Sequence, residues 1–262
     1  MEFILSEPMG LDLLLPWALS MALLTVRLTV AVALSPALSA YGVPATVRIA
    51  LTFGLALVTF LYRAPAPAAA AWAADPGQLV MPVLAEVFIG AWLGLSMHVV
   101  LAAFSLAGRL MDVQIGFGIG SVFDPVSRSS ANVLGSMVGL LGVTLFFVSD
   151  ANLVLAQLVS QSIDVFPLGE LPVLNDPMRP LIATGSMFAL GLAFAAPVAA
   201  ALLLTDLVVG VASRNLPQVN VLVLAIPIKV VVGYAVLALS VAGWVPLMWQ
   251  GLGRMVDVLG VR

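Results

Sequence analysis

Few residues in this chain have side chains suited to chemistry, and they are oddly placed. The stretch Gly116-Phe117-Gly118-Ile119-Gly120 alternates glycine with apolar bulk and runs into Phe123-Asp124-Pro125. Spaced glycines can cradle phosphate. A P-loop, however, needs a lysine directly after its closing glycine, and the single lysine, Lys229, lies far downstream. A dinucleotide fingerprint needs a preceding strand and a third glycine where Ser121 stands. An intramembrane aspartyl protease needs an aspartate right after Gly-x-Gly, and Ile119 occupies that place. A serine protease would have only His98 for its base. With no cysteine and one histidine, thiolate catalysis and cysteine-bound metals are excluded. The expectation is a chain that is not an enzyme and has no cofactor or metal.

What the glycine stretch can do is mechanical. In an extended segment Gly116, Gly118 and Gly120 share one face, leaving Phe117, Ile119 and Phe123 as apolar bulk before Asp124-Pro125 turns the chain. Such a segment could close a pore with its side chains and change shape cheaply. The residues leave that reading open beside a plainer one, an ordinary glycine-rich connector.

A second group of residues stands out because of its surroundings. Arg27, Arg48, Glu86, His98 and Lys229 all lie inside apolar blocks. A charge at a bilayer centre costs at least about 2.5–3.5 kcal/mol on insertion scales. Arg27 and Lys229, deep in their blocks, are expected to pair inside an assembly or to face a transported species. Arg48 and Glu86, near block ends, could also snorkel or pair locally. His98 is expected to be a satisfied packing residue.

The elements that hold these residues are helical and greasy. Of 262 residues 62% are hydrophobic and 9% charged, against about 25% charged in a soluble domain, so the chain reads as an integral membrane protein. Its net charge of −3 shows no basic surface for nucleic acid. The first residues carry acids where a signal peptide needs a basic region, so the first apolar segment is expected to stay. Six apolar blocks, residues 13–38, 43–62, 79–107, 133–159, 181–204 and 221–249, lack period-two alternation and predict helices, an all-α fold. The fourth is anomalous. Residues 133–148 cover only about 24 Å at 1.5 Å per residue, short of the roughly 30 Å hydrocarbon layer, before the turn-like run 149–152. That predicts a helical hairpin or a helix freed from bilayer thickness. Residues 63–78, 108–132, 160–180 and 205–220 read as connectors.

Packing signals accompany the blocks. Gly90-x-x-x-Gly94 and Gly135-x-x-x-Gly139, with Gly191 and Ala195, predict close helix contact. Pro16, Pro36, Pro82, Pro197, Pro227 and Pro246 predict kinks. Neither membrane orientation satisfies the positive-inside rule, which suggests helices that are not simple bilayer crossings.

Two stretches carry a resemblance. Phe123-Asp124-Pro125-Val126-Ser127 followed by Val133-Leu134-Gly135, and Ser213-Arg214-Asn215-Leu216-Pro217-Gln218-Val219-Asn220-Val221 leading to Pro227-Ile228-Lys229, resemble the FliR family of flagellar biosynthetic proteins. Residues 162–169, ending Phe166-Pro167-Leu168-Gly169, also fit. The most specific element is Pro217-Gln218-x-Asn220 with Pro227-x-Lys229, and the likeness covers nearly the whole chain. Asn215-Leu216, Arg128 and the Ala/Pro-rich residues 63–78 depart from the pattern.

The resemblance implies kinked, membrane-associated helical hairpins in an export-gate assembly like that of FliP and FliQ. The chain would be one FliR-like domain, residues 1–262. Residues 1–180 would resemble FliP, and residues 181–262 would be a FliQ-like hairpin and tail. The partners implied are several copies of FliP and FliQ, with FlhB and FlhA and unfolded export substrates; the place implied is the bacterial inner membrane at the flagellar basal body. The loop at residues 108–132 resembles the family's plug, with Gly116, Phe117, Gly118, Ile119, Gly120, Phe123, Asp124 and Pro125 at its gate. Arg214, Pro217, Gln218, Asn220, Pro227 and Lys229 would serve the motif and inter-subunit packing. The injectisome counterparts SctT, YscT and SpaR share the Pro-Gln-x-Asn element and form the second choice. A secondary transporter, with broken helices around a midplane site, is the rival from another class.

Overall fold

A computed structural model describes residues 11–35, 43–63, 76–116, 133–170, 178–215 and 221–259. All the regular elements among these residues are helical. They are α1 (Leu11–Leu34), α2 (Ala45–Arg63), α3 (Val80–Ile115), α4 (Val133–Val148), α5 (Ala151–Val165), α6 (Met178–Asn215), α7 (Val221–Ser240) and α8 (Trp244–Leu259). Short 3₁₀ turns, Pro76–Leu79 and Val241–Gly243, precede α3 and α8. Among the described residues five helical stretches are long and apolar enough to cross a membrane, the last of them running through α7 and α8, or six if the bent α4–α5 pair counts as one span.

The all-α expectation holds, and several boundaries move. Helix α3 does not stop at residue 107 but continues to Ile115, so the first eight residues of the expected plug loop are helical. The buried stripe Phe104, Ala107, Met111, Asp112, Ile115 continues at helical spacing, and no proline interrupts it. Helix α6 likewise runs to Asn215 through the expected connector, ending just before Pro217, which disfavours helix at the residue preceding it. The sixth block divides into α7 and α8. Pro246 has no N–H to give Ala242, so a single helix through residues 241–243 would lose a bond there. The predicted break in the fourth block is real: α4 and α5 are separated at Ser149–Asp150, where Asp150 adopts φ 57°. Helices α1, α6 and α7 continue unbroken through Pro16, Pro197 and Pro227.

The chain divides into two compact units, each assembled from distant stretches. The first takes described residues from Met1–His98, Asn152–Pro177 and Val256–Arg262. In it α1 buries Ser20, Leu24, Arg27, Leu28 and Ala31, a stripe at helical spacing. The early part of α3 answers with Ala85, Glu86, Ile89, Leu93 and Met97. Gly90 and Gly94 make this approach possible. A Cβ at Gly90 would strike the Arg27 carbonyl, and one at Gly94 would lie 2.7 Å from the Leu34 Cβ and 2.8 Å from the Ala31 carbonyl. Helix α2 packs on α1 through a thin stripe, Thr52, Ala56 and Thr59.

The second unit comprises described residues of Val99–Ala151 and Met178–Met255. Its centre is an aromatic cluster. Phe104 stacks on Phe194 with ring centroids 4.2 Å apart, and Trp244 sits 5.8 Å from each. Gly142 lies flat against the Phe104 ring, where a Cβ would be 2.5 Å away. The later part of α3, α4 and the α6–α7 hairpin belong to this unit.

Candidate functional site: where the glycine segment is fastened

Residues 117–132 lie outside the described structure, and with them Phe117, Gly118, Ile119, Gly120, Phe123, Asp124 and Pro125. What can be seen is how the segment leaves α3 and how it enters α4. Both ends are held at one place.

Gly116 closes α3. Its N–H donates to the Asp112 carbonyl at 3.2 Å and its φ is 99°, the left-handed conformation that favours glycine after a helix. At the other end, α4 begins at Val133 with its first amides needing acceptors. The buried Asp112 carboxylate supplies them: Oδ1 accepts from Leu134 N–H at 3.1 Å and Oδ2 from Gly135 N–H at 3.0 Å. Asp112 thus caps α4 from a different helix, and its negative charge also suits the positive end of the α4 dipole. The backbones approach closely enough for this because Gly108 faces Gly135. A Cβ on Gly108 would sit 2.7 Å from the Gly135 Cα and 2.5 Å from the Leu134 carbonyl.

The last turn of α3 is held again from α7. Lys229 Nζ donates to the Gln114 carbonyl at 3.3 Å and pairs with Asp206 Oδ1 of α6 at 2.5 Å. One turn further along α7, Gly233 makes room for Ile115, whose Cδ1 would be 2.7 Å from an added Cβ. The spacing Lys229–Gly233 therefore places a charge and a socket on one face.

A second polar centre occupies the first unit. Arg27 and Glu86, both fully buried, form a two-pronged ion pair at 2.6 Å (Nε to Oε2) and 3.1 Å (Nη2 to Oε1). The rest of the guanidinium donates to the Ser162 carbonyl and hydroxyl at 3.1 Å each and to the Phe166 carbonyl at 3.0 Å. Glu86 Oε1 also accepts from the Gly169 N–H at 2.7 Å. That amide is aimed by a turn closed from Glu170 N–H to the Pro167 carbonyl, in which Gly169 has φ 80°, the third-position conformation that favours glycine. Residues 162–169, noted in the sequence only for their resemblance, thus enclose a buried charge pair. Such a pair requires this degree of satisfaction, because desolvation otherwise outweighs the attraction.

The sequence-predicted residues divide as follows. Arg27 is paired, as expected of a deep charge. Glu86 does not snorkel: it is the buried partner of Arg27. His98, expected in packing, is exposed on α3. Its neighbours Met97 and Val99 take the buried positions. Lys229 pairs with Asp206 inside the α6–α7 hairpin. Arg214 is exposed in the last turn of α6, where a cation suits the helix dipole. Pro227 is exposed within α7. Pro217, Gln218 and Asn220 lie outside the described residues. Gly90, Gly94 and Gly135 make close approaches, and Gly139 is buried in α4. Asp112 was missed. The signal for it was the helical stripe that continues past residue 107 and puts a lone acid at a buried position. Among the described residues no three His, Cys, Asp or Glu side chains cluster to hold a metal ion.

The sequence matches the profile of the bacterial export proteins, family 1, over residues 18–255. The chain belongs to that family. A flagellar biosynthetic protein FliR from Pectobacterium carotovorum subsp. carotovorum is 30% identical over 158 residues, 60% of each chain. The FliR of Escherichia coli K12 is 28% identical over 213 residues, 81% of this chain and 80% of that one. The secretion system apparatus protein SsaT of Salmonella typhimurium is 24% identical over 160 residues, 60% of this chain and 62% of its own. Family membership thus extends over both polar centres and both ends of the glycine segment.

Proposed function

We propose that this chain is a subunit of a flagellar type III protein export gate, a non-enzymatic part of the channel that passes unfolded substrates across the bacterial inner membrane. FliP and FliQ are its neighbours, with residues 1–180 playing the FliP-like part and residues 181–262 the FliQ-like part; FlhB and FlhA complete the apparatus. The glycine segment is the closing element. The observation that carries this is its double fastening: Gly116 and the first turn of α4 meet at Asp112. A connector needs no such arrangement. An obstruction that must return to the same place after each passage does. Helix length supports the setting. Helices of 36 and 38 residues extend about 54–57 Å at 1.5 Å per residue, well beyond a hydrocarbon layer of about 30 Å, so part of each is surrounded by something other than lipid tails. A flagellar system is favoured over an injectisome because the FliR proteins of Pectobacterium carotovorum and Escherichia coli, 30 and 28% identical, exceed SsaT at 24%.

The test is deletion of Gly116–Gly120 in cells, scored two ways. A gate lacking its closing element leaks ions and small solutes while the chain still co-purifies with FliP and FliQ. Loss of co-purification without leakage identifies a scaffold. An intact chain that purifies alone and leaks nothing overturns the reading.

A further inference from the structure

Helix α2 carries an arginine near each end, and the described chain supplies an anion for only one. Arg63, in the last turn, donates to Ser160 Oγ and Asp164 Oδ2 at 2.8 Å each, with its guanidinium 5.9 Å from the Tyr62 ring. Arg48, in the first turn, has a buried Nε with no hydrogen-bond partner among the described residues. Its side chain lines a groove between α1 and α2, a cavity of about 240 Å³, with Thr25, Thr29, Val32, Ile49, Thr52 and Phe53 among the walls. The three threonine hydroxyls all donate to carbonyls of their own helices. They therefore offer the groove methyl groups, and among the described residues Arg48 is the one charged residue lining it. A guanidinium nitrogen withdrawn from water without an acceptor is unfavourable, so an anion belongs there.

The surroundings identify its source. Helix α2 has 19 residues, about 28 Å at 1.5 Å per residue, a match to the hydrocarbon thickness of about 30 Å. Were α2 to cross the hydrocarbon layer, its two ends would fall at the two headgroup levels. Tyr62 and Arg63 would mark one level, as aromatic and basic residues do, and Arg48 the other. From the groove an exposed apolar ridge descends α2: Ile49, Phe53, Leu57 and Leu61, 68, 55, 42 and 71% exposed, one turn apart. A free phosphate or a partner's acidic side chain would use Arg48 and leave the ridge bare. A phospholipid uses both.

We propose that the α1–α2 groove binds an anionic phospholipid, its phosphate on the Arg48 guanidinium and an acyl chain along Ile49, Phe53 and Leu57. The site requires only that the chain resides in a membrane, so it stands or falls separately from the export role.

The experiment uses the full-length chain in nanodiscs of mixed phosphatidylglycerol and phosphatidylcholine, with retained lipid counted by native mass spectrometry. Arg48→Gln lowers phosphatidylglycerol retention about fivefold, the equivalent of the roughly 1 kcal/mol a basic side chain contributes at an anionic surface. Arg48→Lys keeps most of it, and Arg63→Gln leaves it unchanged. Phe53→Ala weakens it with the charge intact, which keeps the test readable if Arg48→Gln does not accumulate. Excess inorganic phosphate does not displace the lipid. Retention indifferent to both Arg48→Gln and Phe53→Ala overturns the proposal, as does displacement by inorganic phosphate. In the co-expressed complex, a cross-link from position 48 to a partner's carboxylate, with no lipid retained, overturns it in favour of a protein occupant.

Discussion

Replacing Asp112 with alanine removes the acceptor of two buried amides and uncaps α4 in one step. The magnitude follows from the geometry. Losing a helix cap costs about 0.5–2 kcal/mol, and a hydrogen bond to a charged group contributes about 1.5–3 kcal/mol. One carboxylate serves two adjacent amides, so these figures overlap, and a net loss of about 2 kcal/mol is the working value. That raises the population with the first turn of α4 undocked about 30-fold. Hydrogen exchange of the membrane-embedded chain reads this population directly. In Asp112→Ala, exchange at Leu134 and Gly135 accelerates about 30-fold, while the Phe104–Phe194–Trp244 core stays protected. Asp112→Asn keeps one oxygen acceptor and loses the charge, so its acceleration lies between wild type and alanine. Arg109→Ala, an exposed position one turn earlier on α3, has no effect. In cells Asp112→Ala leaks small solutes, as the deletion of Gly116–Gly120 does, but less. Unchanged exchange at Leu134 and Gly135 in Asp112→Ala refutes the capping account. Accelerated exchange in a fully sealed membrane refutes the link from that cap to closure.

Two further outcomes follow from the first unit. Arg27→Ala and Glu86→Ala each strand a buried charge and lower stability by about 3–5 kcal/mol; a double-mutant cycle, read by thermal unfolding in detergent, gives a coupling of about 2–3 kcal/mol, and simple additivity would show that the pair acts independently. Gly90→Ala drives a methyl group into the Arg27 carbonyl and lowers the melting temperature, whereas Gly54→Ala, with nothing within 4 Å of its Cβ, gains up to about 1 kcal/mol of helix propensity and leaves the melting temperature unchanged or raised.

Much of the fold was readable because the apolar blocks are long and breaks in a greasy helix are conspicuous. The α4–α5 break was visible as Ser149-Asp150-Ala151-Asn152, and the close contacts of α1 with α3 were visible as Gly90-x-x-x-Gly94. Helix ends were less readable. An apolar run reports what can be buried, not where a helix stops, so Gly108–Ile115 looked like loop although its buried stripe is helical. Long-range polar pairing was hidden altogether. Nothing local says that Glu86 meets Arg27, or that Asp112 serves amides at residues 134 and 135, because each partner is brought by the fold from a distant stretch. The family-like residues 162–169 could be recognised but not explained until the carbonyls of Ser162 and Phe166 were found around the guanidinium.

Asp112 has a geometric corollary. Gly116 and Leu134 both bond to the same residue, so the chain leaves Asp112 before residue 117 and is back at it just after residue 132. Drawn taut, a strand of that length measures about 55 Å, so a tether rooted at both ends extends no more than about 28 Å from Asp112. If the proposed export role holds, any aperture these residues close lies inside that radius.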